Sequence, residues 1–239
     1  TTAILEVLSA DSIQWYRNGV AILGANQTQY NVPQSGLYYA TLFKNTGCIL
    51  STVIRAINIF DSPVAGFTTN SLDQCFNNNQ VAFTNSSTVA TGTLQYSWDF
   101  GDGFTSTARD VTHNYGTPGI YQVKLVVTTN NGCKDSSSTT VNIFESPTAG
   151  FTTNTASQCF SNNQFSFTNT SSISAGSLQY TWDFGDGSFA TATDVTHNYT
   201  APGVYTVRLI ALSDKNCSNE ITTVITVHPN PEADFNLNS

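Results

Sequence analysis

The sequence predicts an all-β chain built as a row of small sandwich domains in an extended rod. Three observations carry that expectation: a long internal repeat, period-two alternation of apolar residues, and turn residues at intervals of about ten. Ser62-Pro-Val-Ala-Gly-Phe-Thr-Thr-Asn70 returns as Ser146-Pro-Thr-Ala-Gly-Phe-Thr-Thr-Asn154, an offset of 146 − 62 = 84. Cys75 and Cys159, Trp98 and Trp182, His113 and His197, and Cys133 and Cys217 share that offset, with no insertion or deletion between them. A further start appears at Pro231-Glu-Ala-Asp-Phe235, at the same offset from Pro147 and Phe151.

Residues 1–61 diverge from the repeats but keep their frame. The step from Trp15 to Tyr38 (38 − 15 = 23) equals the steps from Trp98 to Tyr121 and from Trp182 to Tyr205. Each of these tyrosines follows a glycine by two positions: Gly36, Gly119 and Gly203. Each unit then reaches a cysteine in a polar hairpin, at Cys48, Cys133 and Cys217. The predicted organisation is therefore 1–61, a sandwich domain lacking its first strand; 62–145 and 146–229, two copies of one repeat; and 230–239, the first strand of another.

Alternation defines the strands. Tyr121, Val123, Leu125 and Val127 share one face, with Gln122 and Lys124 on the other; Tyr205, Val207, Leu209 and Ala211 repeat the pattern. Phe83 and Phe167 sit in similar short runs, as do Tyr96-Ser-Trp98 and Tyr180-Thr-Trp182. No segment shows a convincing helical period. Pro63, Pro147 and Pro231 mark the seams. Each seam runs almost directly from one closing strand into the next opening strand, which restricts bending between domains.

Composition excludes several functions. With 8 Lys+Arg against 16 Asp+Glu, the net charge is −8. That opposes binding to nucleic acid, whose phosphates demand basic clusters, and docking on an anionic membrane. No apolar run approaches the ~20 residues of a spanning helix, so no membrane insertion is expected in this segment. Five cysteines imply disulfides and an oxidising compartment.

Trp98-Asp-Phe-Gly-Asp-Gly103 and Trp182-Asp-Phe-Gly-Asp-Gly187 resemble the signature of PKD (polycystic kidney disease) domains. Val111-Thr-His-Asn-Tyr115 with Pro118-Gly-Ile-Tyr121, and the copies at Val195–Tyr199 and Pro202–Tyr205, resemble that family's second hallmark. The resemblance covers both repeats and implies immunoglobulin-like sandwiches. Residues 1–61 look like a bacterial Ig-like module, through Ile13-Gln-Trp-Tyr-Arg-Asn-Gly-Val20 and Ser35-Gly-Leu-Tyr38. The mixture resembles segments of large surface and gliding adhesins of Bacteroidetes-type bacteria, exported by type IX secretion. The localisation so implied is extracellular, at the bacterial cell surface.

Each candidate site has a structural reading. Asp102 and Asp186, with Asp99 and Asp183, suggest a carboxylate pair or a calcium site, but Asp-Gly after a strand makes a tight turn, and calcium needs 6–8 oxygens. His113 and His197 stand alone among alternating apolar residues, and read as structural histidines bonded to backbone. Trp15, Trp98 and Trp182 take the central-strand position where Ig-like folds bury a tryptophan against a sheet-bridging disulfide. Phe104, Phe189, Phe76 and Phe160 lie beside turns and are the better candidates for ligand contact. Without a C-x-x-C, the cysteines do not read as a zinc site. Pairing within each repeat, Cys75 with Cys133 and Cys159 with Cys217, is the economical expectation, leaving Cys48 unpaired.

No nucleophile elbow, catalytic triad, metal site or cofactor site is expected. The leading functional expectation is a stalk or adhesin segment whose partners are neighbouring repeats of one long polypeptide, together with extracellular glycans or surfaces. The rival is an accessory module of a secreted hydrolase, gripping polysaccharide or collagen. Counting back through the frame also puts the opening strand of residues 1–61 before Thr1. Three completions follow: a strand from the same polypeptide, an edge that stays open, or head-to-tail self-association through residues 231–239 of a second chain.

Overall fold

A computed structural model describes residues 3–8 and 10–232, and all regular structure among them is strand. The first unit carries β1 (Ala3–Glu6), β2 (Ser12–Arg17), β3 (Val20–Ala21), β4 (Gln29–Val32), β5 (Gly36–Phe43), β6 (Ile49–Ser51) and β7 (Arg55–Ile57). The first repeat follows with β8 (Phe67–Thr69), β9 (Asp73–Cys75), β10 (Val81–Asn85), β11 (Leu94–Asp99), β12 (Thr105–Ser106), β13 (Val111–His113), β14 (Gly119–Thr129) and β15 (Lys134–Phe144). The second has β16 (Phe151–Thr153), β17 (Ser157–Cys159), β18 (Phe165–Asn169), β19 (Leu178–Asp183), β20 (Phe189–Ala190), β21 (Val195–His197), β22 (Gly203–Ser213) and β23 (Ser218–His228).

Each repeat packs a three-stranded sheet on a five-stranded one. The orders are β13-β10-β8 and β12-β11-β14-β15-β9, then β16-β18-β21 and β17-β23-β22-β19-β20. The first repeat's long ladder runs from Gly119↔Ile143 to Thr128↔Lys134. Val123, Leu125 and Val127 face the core while Gln122 and Lys124 face water, as the alternation requires. The opening segment changes sheets: β8 joins β10, and β9 then crosses to lie parallel with the end of β15. Gln74 fastens the crossing, donating to Gln80 O at 3.0 Å and accepting from Gln80 N at 2.7 Å. Gln158 and Gln164 repeat both bonds in the second copy.

Trp98 and Trp182 are fully buried, and Trp15 nearly so. Burial leaves each indole N–H one obligation, met by a backbone carbonyl: Gln27, Ala108 and Ala192 accept at 2.9, 2.9 and 3.0 Å. Among the described residues no disulfide lies against these tryptophans. Phenylalanine fills the place instead: Phe67 meets Trp98 edge-on at 5.0 Å, and Phe151 meets Trp182 likewise at 5.1 Å. The tyrosine of the shared frame bonds back four residues in all three units, Tyr38 to Gln34 O, Tyr121 to Thr117 O and Tyr205 to Ala201 O, at 2.7, 2.8 and 2.8 Å. That is the tyrosine corner of Ig-like sandwiches.

Residues 1–61 form a smaller assembly. Among the described residues β1 pairs only with β4, and the facing sheet runs β3-β2-β5-β6, with β7 also on β5. Among the described residues, no strand flanks β1 as β8 flanks β10, and none lies along residues 58–60 as β9 lies along residues 142–144. The strand expected over residues 230–239 falls largely outside the described residues.

Candidate functional site

The turn after the buried tryptophan gathers the residues most suggestive of chemistry. Asp99 Oδ1 accepts from Gly101 N at 2.9 Å and Asp102 Oδ1 from Phe104 N at 3.1 Å, closing two successive turns. Gly101, at φ +83°, lies so close to the Gln122 carbonyl that a Cβ would stand 2.8 Å from it. The free oxygen of Asp102 reaches His113 Nε2 at 2.7 Å, and Asp186 reaches His197 at the same distance. These histidines therefore bond to a carboxylate and not to backbone as expected. Each imidazole lies flat on a phenylalanine, His113 on Phe100 at 4.2 Å and His197 on Phe184 at 4.1 Å.

The couple staples the turn to β13 or β21. Among the described residues no hydroxyl bonds either imidazole, so the aspartate–histidine pair faces no nucleophile. Tyr115 and Tyr199 lie edge-on to the histidines, with phenol groups donating to Phe100 O and Phe184 O. Burial first, then the Asp102 or Asp186 charge, pushes both phenols well above their ordinary range, so they stay protonated donors. Among the described residues no group of three metal-ligating side chains converges. A surface hollow of about 470 Å³ is lined by Phe67, Leu72 and hydroxyl residues, with no titratable group among them.

The aromatic candidates divide. Phe104 and Phe189 are each 66% exposed beside this turn, whereas Phe76 and Phe160 pack against the cores. The first pair is the more exposed to a ligand.

The cysteines correct the sequence reading most. Cys75 is bonded to Cys217, across 142 residues of chain, and Cys48, Cys133 and Cys159 are free. The expected Cys75–Cys133 and Cys159–Cys217 bonds are absent, and strand length explains it. Cys75 sits opposite Phe144, at one end of the β14–β15 ladder, while Cys133 lies in the hairpin at the other end. Eleven residues at ~3.3 Å each separate those ends by roughly 35 Å. A disulfide needs Cα atoms within about 7 Å. Stacking one repeat on the next instead brings the second hairpin to the first repeat's β9, with the two Cα atoms 5.4 Å apart. Lys215 of that hairpin stands 6.0 Å over the Phe144 ring, and Ser174 N donates to Glu145 at 3.3 Å.

The family model described as "PKD domain" matches residues 61–143 and again 145–227. Collagenase ColA of Clostridium perfringens (strain 13 / Type A) is 46% identical over 50 residues, covering 21% of this chain and 4% of the collagenase. The PKD1 domain of Vibrio anguillarum Epp is 30% identical, covering 36% of this chain and 96% of that one, with a TM-score of 0.31. The N-terminal eight Ig domains of Down Syndrome Cell Adhesion Molecule cover 96% of this chain and 35% of their own at 13% identity and a TM-score of 0.57, a likeness of fold.

Proposed function

Because the chain belongs to the PKD domain family, we propose that it is a non-catalytic repeat segment of a secreted bacterial protein, a stalk that carries attachment surfaces outward from the cell. The observation that carries this reading is the Cys75–Cys217 bond, which ties one repeat to the next where two flexibly linked domains need no tie. A junction held by a covalent bond, a short seam and the Glu145–Ser174 contact transmits force and orientation. The polar exposed strand faces, rich in Ser and Thr, keep such a stalk soluble without a charged patch that selects a partner. The disulfide also requires an oxidising, extracellular setting. Neighbouring repeats of one long polypeptide are then its main partners, and weak contacts add along the array. A bacterial surface adhesin, including one of a gliding cell, is the kind of protein such a segment would serve.

A second reading, an accessory module gripping collagen or polysaccharide, is favoured by one observation. The exposed Phe104 and Phe189 stand on equivalent turns of the two repeats, within a family whose relatives include a collagenase. Binding of the purified chain to collagen fibrils and to a glycan array separates the two. The stalk reading expects no saturable binding by the native chain. Saturable binding that disappears in the Phe104→Ala/Phe189→Ala double variant overturns it in favour of the accessory module.

A further inference from the structure

We propose that Cys133 and Cys159 are halves of further inter-domain disulfides of the Cys75–Cys217 kind. Cys159 takes the hairpin cysteine of another PKD domain, and Cys133 takes a cysteine-bearing strand laid beside Asn58–Phe60. This goes beyond the stalk reading and stands on the repeat frame and the geometry of the junctions.

The repeat supplies the first argument. Cys159 matches Cys75 (159 − 75 = 84), and Cys133 matches Cys217 (217 − 133 = 84). Each of these two free cysteines is thus the counterpart of a bonded one, and lies at the opposite end of its domain from the cysteine that is bonded there. Local geometry agrees. β17 lies parallel with β23, placing Cys159 opposite His228, as β9 places Cys75 opposite Phe144. Phe160 N donates to His228 O at 2.8 Å, as Phe76 N donates to Phe144 O at 2.7 Å. The strand end that presents the thiol is therefore built the same way twice. In the first copy a hairpin covers it, and in the second Cys159 is exposed.

The other half of the bond is equally prepared at Cys133. Asn58-Ile-Phe60 repeats Asn142-Ile-Phe144, the segment that β9 pairs with. The Cys133 sulfur lies 4.0 Å from Phe60 O, so its hairpin already stands against the end of the preceding unit. Thr91 donates to Asp61 at 2.6 Å, in the place where the Ser174 loop meets Glu145. The two junctions thus share one geometry. Where β9 lies at the second, the first has a hollow of about 330 Å³ lined by Ala3, Asn58, Phe60 and Cys133. A strand of the β9 type is the occupant that fits, because it alone completes the pairing seen along Asn142–Phe144 and delivers a thiol to this hairpin.

The step is thiol–disulfide exchange. Two protein thiols lose their protons, one S–S bond forms between them, and a small-molecule disulfide such as glutathione disulfide is cleaved and reduced to two thiols. Repeated at each seam, the bonds form a ladder with one rung per junction.

The test is the full chain with residues 62–229 duplicated in tandem, which keeps the repeat frame and sets Cys159 of the first pair against Cys133 of the second. After refolding with glutathione disulfide, thiol titration and non-reducing peptide mapping are read together. The proposal expects a new Cys159–Cys133 bond, with both Cys75–Cys217 bonds present. The free-thiol count then stays at three, as in the parent chain. Cys159→Ser in the first pair should leave the second pair's Cys133 reduced. A count of five, being those three plus the added Cys133 and Cys159, with both Cys75–Cys217 bonds intact overturns the proposal. So does a Cys159–Cys217 bond within one repeat, and so does failure of the Cys75–Cys217 bond itself.

Discussion

The two repeats, residues 62–145 and 146–229, share their sheets, their buried tryptophan and their aspartate–histidine couple, yet differ at the cysteines. The first uses its strand cysteine, Cys75, and leaves its hairpin cysteine free; the second uses its hairpin cysteine, Cys217, and leaves its strand cysteine free. Nothing inside either domain dictates this, because the local surroundings of Cys75 and Cys159 match. The neighbour decides. A PKD domain of this type is therefore not the unit of covalent structure; the junction is.

The most severe way to break the comparison is to remove the bond. In the chain-entropy model, closing a loop across 142 residues stabilises by about 5 kcal/mol. Cys75→Ala and Cys217→Ala should therefore lower the urea midpoint of the repeats by the same large amount. Cys133→Ala and Cys159→Ala, measured on the same chain, should cost less than about 0.5 kcal/mol. A Cys133→Ala cost matching that of Cys75→Ala would place a bond within the first repeat after all.

Next in size is the couple that the repeats share. A hydrogen bond to a charged group contributes roughly 1.5–3 kcal/mol. Asp102→Asn and Asp186→Asn should thus each cost about 2 kcal/mol, because each side chain closes a turn and holds a histidine. Calcium should change neither melting curve. A calcium-dependent rise in melting temperature that the substitutions abolish would convert the turn into a metal site.

The fold was legible because its signals are local and repeated. Alternation along 121–127 placed the core face, and the shared Trp-to-Tyr spacing extended the frame to residues 1–61, where the tyrosine corner recurs. The cysteine pairing was misread because economy of sequence distance ignores strand length. The ladder of 119–144 is long enough to hold Cys75 and Cys133 at opposite ends, and its alternating run was visible in the sequence. The histidine partner had a weaker signal. Asp102 and His113 are eleven residues apart on different segments, and only the sheet arrangement brings them together. The partial burial of Phe76 and Phe160 had none, since turn-flanking phenylalanines look alike until the core is packed.

A smaller effect sharpens the contrast between junctions. Asp61 and Glu145 hold equivalent seams, one without a bond and one with it. Asp61→Ala should broaden the distance distribution between spin labels placed across the first seam. Glu145→Ala should leave the second seam unchanged until Cys75→Ala is added, and then broaden it to match. Each contact is a solvent-exposed hydrogen bond, which contributes less than the half-buried aspartate–histidine couple, so the distribution is a better readout than melting. Equal broadening by Glu145→Ala with and without the bond would show that the disulfide does not set the junction.

The smallest effect is the acid response, where the repeats use different carboxylates. At Asp186 burial raises the pKa, but the hydrogen bond with His197 and those from Ser188 outweigh it and hold the carboxyl below its ordinary 3.8. In the first repeat Asp135 is also held low, by the backbone N–H groups of Ala65 and Ser136. Asn219 occupies its place in the second repeat, so that device has no copy. A carboxylate with a depressed folded pKa binds its proton first in the unfolded chain as pH falls. Its stabilising contribution is complete above about pH 4 and is lost as pH drops through the folded value. The urea midpoint of the native chain should therefore fall below about pH 4. Asp186→Asn should flatten that fall for the second repeat, and Asp135→Asn, acting at a fully exposed group, should flatten it less for the first. Following each repeat by its own tryptophan, with Trp15→Phe throughout and Trp98→Phe or Trp182→Phe silencing the other repeat, assigns the slopes. An acid slope in the second repeat that survives Asp186→Asn unchanged would move the responsible proton away from the aspartate–histidine couple.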